Sequence, residues 1–170
     1  MAKRISLREF QESLVRRLNE AGSSDRRTLL GIQAGESQWL VSLTEAGEIL
    51  AVPPLAEVPL TRPWFRGLAN VRGTLVGVID FSALNGGPLT APAGHARLML
   101  VGAKHGINSA LLVSRTTGLK SPDDFEADAA PVAQAWEGQR LRDLQSRPWS
   151  RLDIAALLAH PRFLEAGIEA

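Results

Sequence analysis

No cysteine occurs among the 170 residues, which excludes disulfides, thiolate metal sites and cysteine nucleophiles together. Neither sign of charge is in excess, because 19 Lys and Arg stand against 18 Asp and Glu for a formal net charge of +1. Such a chain has no field to steer phosphate or anionic lipid, so general nucleic-acid binding is not expected. Tyrosine is absent, and the four tryptophans are not interleaved with basic residues as a base-stacking sheet requires. No apolar run approaches the ~20 residues that cross a bilayer. The longest, Ala96 to Ala103, already contains Arg97 and Gly102. The first twenty positions are broken by Glu9, Glu12 and Glu20 and lack the apolar core of a signal peptide. The chain is therefore expected to be soluble, and the lack of cysteine suits a reducing cytoplasm.

Motifs for chemistry are missing as well. His95, His105 and His160 are far apart, with no HxH or HExxH spacing to hold a metal. No GxSxG elbow, GxxxxGK[ST] loop or GxGxxG turn is present, and Gly86-Gly87 lacks the helix that completes a phosphate cradle. His105 beside Gly106 reads as a turn residue, and His160 as a cation near a helix C-terminus. The stretch Asp123-Asp124-Phe125-Glu126-Ala127-Asp128 reads as a solvated loop, not an acid pair at work. No cofactor and no metal are expected.

What is there is a strand-rich middle between two helical ends. Ser6 to Ala21 places Leu7, Phe10, Leu14 and Leu18 on one stripe, with Ser6 and Glu9 at capping-box spacing and Gly22 as a stop. Gly22 to Arg27 is a polar linker. The helix is expected to pack on its own domain, with docking on a partner as the alternative. From Thr28 the period becomes two: Leu30 and Ile32, a turn at Gly35, then Trp39, Val41 and Leu43. Glu48 to Val52 is a third extended piece stopped by Pro53-Pro54. Thr74 to Asp80 is apolar throughout its middle, as in a strand covered on both faces, and Phe81 to Leu84 makes a helical turn ended by Asn85-Gly86-Gly87. A second hairpin joins Arg97 to Ala103 with Ile107 to Ser114. Arg140 to Leu144 is a further strand. Ser150 to Ala159 is a helix, begun by Ser150 and Asp153 and ended by His160-Pro161. A chain of this length holds one domain, or two small sub-barrels sharing a core.

One segment stands out: Pro59 to Asp80, containing Pro63-Trp64-Phe65-Arg66-Gly67-Leu68-Ala69-Asn70-Val71-Arg72-Gly73. The prolines set an extended approach, the aromatic pair anchors a short helical turn, and Asn70 to Gly73 turns the chain into the buried strand. A turn does not need a guanidinium before its glycine, so Arg72 is left over. This run resembles the signature of the CheW-like domain, in which an R-G-x-x-N-x-R-G core leads into an apolar strand ending in Asp. Glu48-Ile49-Leu50 and Ala110 to Arg115 are similar to flanking strands of that family, and the resemblance spans roughly Thr28 to Leu158. The ending Pro148 to Leu158 with Pro161 to Gly167, and the helix before the first strand, are similar to the PilI-type branch. Ser114 and Gly77 depart from the pattern, standing where the family has aspartate and proline.

The resemblance implies a mainly β fold of two small five-stranded β-barrels sharing a hydrophobic core, with an N-terminal helix and linker over 1–27 and the domain over 28–170. It implies a cytoplasmic, non-enzymatic adaptor recruited to receptor arrays. Its partners would be the cytoplasmic tip of a methyl-accepting chemoreceptor and the regulatory domain of a CheA-like histidine kinase, in control of type IV pili and twitching motility. Membrane association would come only through the receptor. Glu48 and Arg72 match paired acidic and basic positions implicated in coupling, and Arg66 and Gly67 match positions near that surface. Asn70, Gly73 and Asp80 match with structural roles as turn, turn and strand end. Three other readings remain: an adaptor of a flagellar or other array, a ligand-binding β-barrel, which would show an enclosed polar cavity, and an enzyme using His95 or His105 with a nearby carboxylate.

Overall fold

The computed structural model describes residues 9, 11–17 and 27–169. Alternating side chains build β1 (Leu29–Ala34) and β2 (Ser37–Ser42), which pair as a hairpin about Gly35. There follow β3 (Ile49–Ala51), β4 (Phe65–Val71), β5 (Thr74–Asp80) and a single helical turn, α1 (Phe81–Leu84), capped by the Asp80 side chain. Next come β6 (Arg97–Val101), β7 (Ser109–Val113), β8 (Arg115–Lys120), β9 (Phe125–Ala127), β10 (Glu137–Asp143) and β11 (Pro148–Leu152). The chain ends on α2 (Ile154–Ala159) and α3 (Pro161–Leu164).

The strands form two sheets, of six strands in the order β8-β1-β2-β11-β10-β9 and five in the order β3-β6-β7-β5-β4. Both curl. The chain leaving β3 pairs at Ala56 with Leu68 of β4, through two backbone bonds of 2.8 Å, and so joins the two edges of the five-stranded sheet. In the other sheet β8 and β9 are opposite edges, yet only residues 121–124 connect them. Flat, those edges would stand about 24 Å apart, whereas that connection reaches about 17 Å at most.

Each sheet buries both faces. On β7, Ala110 and Leu112 fill the interior of the five-stranded barrel with Val76, Val78 and Leu98, while Leu111 and Val113 point the other way. There they meet Ile32, Trp39 and Val41 of the other sheet, together with Trp136, Leu157 and Phe163, in one shared core. Leu29, Leu40, Leu141 and Trp149 fill the six-stranded barrel. Full burial of such side chains contributes roughly 1.5–3 kcal/mol each, which makes the shared layer the main bond between the sheets.

Several elements differ from the sequence reading. Phe65–Val71 is a strand, where the aromatic pair suggested a helical turn, because Gly67, Ala69 and Val71 alternate inward while the weak strand formers Gly67 and Asn70 hide the period. Arg115–Lys120 is an edge strand with too few apolar residues to announce itself. The acidic stretch is no plain loop: Pro122–Asp124 is a 3-10 turn and Phe125–Ala127 pairs with β10. Ser150 belongs to β11, its hydroxyl donating to Glu137 Oε1 at 2.6 Å, so α2 starts at the Asp153 cap. His160 does close the C-terminus of α2 as expected, and it has a second role: its Nδ1 accepts from Arg162 N at 3.1 Å and caps α3. At the other end, residues 11–17 are helical, but Leu14 is 43% exposed. Leu7, Phe10 and Leu18, and the linker from Gly22, lie outside the described residues. No helix of the described residues is long and apolar enough to cross a membrane.

Candidate functional site

Glu48 and Arg72 meet at one mouth of the five-stranded barrel. The starts of β3, β5 and β7 and the ends of β4 and β6 converge there. Glu48 is fixed by its backbone, whose carbonyl accepts from Leu100 N at 2.9 Å beside the Gly47 N to Leu100 O bond of 2.9 Å. Arg72 occupies the two-residue turn between β4 and β5, closed by the Val71–Thr74 pair. Its φ is 52° and that of Gly73 is 83°, the pair of left-handed conformations a tight hairpin requires. Asn70 Oδ1 accepts from Gly73 N at 2.8 Å and holds the turn.

From this turn the guanidinium crosses the mouth. Arg72 Nη1 donates to Glu48 Oε2 at 2.7 Å and Nη2 to Oε1 at 2.5 Å, a fork-to-fork pair. It lies in water: the side chains are 77% and 37% exposed, so its worth to stability is about 0–1 kcal/mol. A left-handed arginine costs of order 1–2 kcal/mol, which Asn or Gly there would largely avoid. Folding alone therefore does not account for arginine at this position.

Apolar clefts flank the pair. One, of about 300 Å³, opens into the barrel mouth between Val71, Val76, Leu100 and Ile107, with Arg72 and Glu48 on its rim. A second, of about 180 Å³, lies on the far side of Glu48, between residues 44–48 and 100–105 over Ile154. Glu48, Leu100, Val101 and Ala103 border both. His105 borders the second cleft with Glu45 and Glu48 but, among the described residues, makes no hydrogen bond or ion pair with either. His95 is exposed on a turn. The interiors of both barrels are filled with apolar side chains.

Arg66 and Gly67 sit elsewhere. They lie at the opposite end of β4, about 20 Å from Arg72 along the strand. Arg66 Nη1 donates to Asp80 Oδ2 at 2.8 Å and to Thr90 O at 2.7 Å, and Asp80 also accepts from Thr90 N at 2.7 Å and Thr90 Oγ1 at 2.9 Å. Asp80 is wholly buried, so it organises that end of the barrel as well as ending the strand. Gly67 has φ 113°, and a Cβ on it would meet Ala56 O at 2.1 Å, in the bridge that closes the barrel. The two departures from the family pattern are accommodated locally. Ser114 Oγ accepts from Gly35 N at 3.0 Å, tying the sheets together, and the Phe65 ring fills the space beside Gly77.

Sequence reasoning missed the apolar floor of the mouth, Leu100 and Ile107. Their signal was the hairpin register of β6 and β7, which is read only when the barrel is closed. It also missed Asp143, which holds the β10–β11 turn by accepting from Arg147 N at 3.0 Å, Gln145 N at 2.9 Å, Arg147 Nε at 2.8 Å and Trp149 Nε1 at 3.1 Å. Burial would push this carboxyl up, but those donors outweigh it and hold it at about 2. Glu137 is likewise lowered against its burial, by the Ser150 hydroxyl, Ala133 N–H and Arg140.

The CheW-like domain family profile matches residues 28–162. Over 142 residues the chain is 26% identical to Protein PilI of Pseudomonas aeruginosa, spanning 82% of this chain and 79% of that one. Among solved structures it is similar to the scaffolding protein TtCheW from Thermoanaerobacter tengcongensis, with a TM-score of 0.63 at 14% identity over 75% of this chain and 88% of that one.

Proposed function

The chain belongs to the CheW-like domain family, and on that premise we propose that it is a chemosensory adaptor that works by holding partners together, without turnover. Its partners are the cytoplasmic tip of a methyl-accepting chemoreceptor and the regulatory domain of a CheA-like histidine kinase. The similarity to PilI favours control of type IV pili and twitching motility. The protein then acts in the cytoplasm and reaches the membrane only through the receptor.

The observation that carries this reading is the Arg72–Glu48 pair, exposed, forked and placed beside apolar clefts at a rigid barrel mouth. An apolar centre with a charged rim suits a protein partner. An arginine held in a conformation that favours glycine supports a role beyond the turn. Arg66 and Gly67 contribute by fixing the barrel behind that surface. Modest contacts suffice, because an array multiplies them.

Binding of the purified chain to a receptor tip and to a kinase regulatory domain tests this. Arg72→Glu removes the fork and sets a second acid beside Glu48, and losing one side of an interface charge pair costs roughly 2–5 kcal/mol, so affinity should fall more than tenfold. Melting should be unchanged and twitching control lost. Unaltered affinity for both partners would strip Arg72 of its role, and failure of the unmodified chain to bind either would overturn the adaptor reading.

A further inference from the structure

The structure leaves an apolar patch bare on the body and, among the described residues near the N-terminus, two apolar side chains. On the body, Val58, Leu60, Leu164 and Ile168 are 37%, 63%, 58% and 47% exposed. Though Leu60 and Ile168 are far apart in sequence, backbone pairing gathers them: Ile168 N donates to Leu60 O at 2.7 Å, Thr61 pairs with Gly167, and Arg62 N donates to Ala166 O at 2.8 Å. The Thr61 hydroxyl donates to Val58 O at 2.8 Å and brings in Val58, and Leu164 immediately precedes Glu165, whose carbonyl accepts from Arg62 Nε at 3.2 Å. Towards the N-terminus, Leu14 and Val15 are 43% and 57% exposed on a helical segment, and the sequence sets Leu7, Phe10 and Leu18 on the same stripe as Leu14.

Charge distinguishes the two regions. Residues 1–27 carry seven Lys and Arg against four Asp and Glu, while the remainder carries twelve against fourteen. Within two residues of the patch along the chain are Glu57, Glu165 and Glu169, with Arg62 and Arg162. Arg62 Nε is engaged by Glu165 O at 3.2 Å. From Leu18 to Thr28 the chain can extend about 33 Å, close to the diameter of about 37 Å for a body of this size. A tether of that length holds the stripe at an effective concentration of order millimolar, so a contact too weak to form between separate molecules is populated within one.

We propose that the patch of Val58, Leu60, Leu164 and Ile168 is the docking site of the chain's own N-terminal amphipathic segment, which lays the stripe of Leu7, Phe10, Leu14 and Leu18 across it. The patch is distinct from the Arg72–Glu48 mouth, so the docking stands or falls independently of the adaptor reading.

Because the native chain has no cysteine, an introduced pair is the only pair that can crosslink. Under mild oxidation, L14C/L164C and L14C/I168C should form an intrachain disulfide at least ~fivefold faster than L14C/L75C, L14C/L119C or L14C/L144C, whose second positions are exposed leucines outside the patch. L60D should speed tryptic cleavage after Arg16 and Arg17 several-fold. Circular dichroism checks that the β body persists, and I168S repeats the test should L60D unfold. Equal crosslinking at patch and control positions overturns the proposal. A disulfide between two chains overturns it in favour of a second copy, and cleavage unaffected by either folded variant leaves the stripe to a separate partner.

Discussion

Asp80 is fully buried at the end of β5, and Arg66, one-fifth exposed, closes on it from the start of β4 at 2.8 Å. This pair, rather than the forked pair at the other mouth, is where charge bears on stability. Removing one side of a buried pair costs roughly 3–5 kcal/mol, and Asp80→Ala also frees the Thr90 donors. Because Arg66 can turn partly to solvent, the lower end, ~3 kcal/mol, is expected for Asp80→Ala from urea unfolding. A loss below ~1 kcal/mol would show that the network is ornamental.

Arg72 should behave in the opposite way. Arg72→Asn loses an exposed ion pair worth about 0–1 kcal/mol and relieves a left-handed arginine costing about 1–2 kcal/mol. The variant should melt at or slightly above the parent temperature while losing partner binding. Clear destabilisation would mean that the pair clamps the barrel mouth.

Glycine positions with positive φ are not equivalent. Gly67→Ala adds a methyl into Ala56 O as well as strain, so it should cost at least ~2 kcal/mol and loosen the Ala56–Leu68 closure. Gly73→Ala meets nothing within 4 Å and should cost only the conformational strain, ~1–2 kcal/mol. Chemical denaturation of the two variants side by side checks the order, and exchange of the Leu68 amide should quicken only in the first.

Acid stability should report Asp143. Its folded carboxyl is held at about 2, below its ordinary value of 3.8, so its contribution is complete above that ordinary value and disappears as pH falls through about 2. Asp143→Asn should therefore lower stability at neutral pH and flatten the decline between pH ~4 and ~2, converging with the parent below it. Parallel acid-limb curves for the two proteins would remove Asp143 from the account.

How much of this was legible in one dimension follows from what each element shows its neighbours. The β1–β2 hairpin, β5 with α1, and the β6–β7 hairpin were readable because apolar periodicity and turn residues agree there. β4 was hidden because its inward face includes a glycine that exists to let Ala56 approach, and β8 because an edge strand has little to bury. Ser150 and Asp153 both look like caps, and only the Glu137 carboxylate, supplied from another strand, decides that Ser150 is extended. Arg72 was flagged by its misfit to the turn. Its separation from Arg66 was not, since nothing in a linear pattern says that the two ends of one strand face opposite mouths.

The five-stranded sheet is continuous in the chain, from β3 to β7, whereas the six-stranded sheet is split, with β1 and β2 on one side of it and β8 to β11 on the other. During synthesis this fixes an order of assembly. The five-stranded barrel, inner in the chain order, has all its strands once the ribosome has passed residue 113, while β2 must wait for its parallel partner β11, the last strand made. Until then the Trp39 and Val41 face can rest on the finished inner barrel, so the first-closed half serves as the template for the second. A stalled or truncated chain lacking β11 would keep the inner barrel and leave β2 with an unpaired edge, the kind of edge that invites association with other strands.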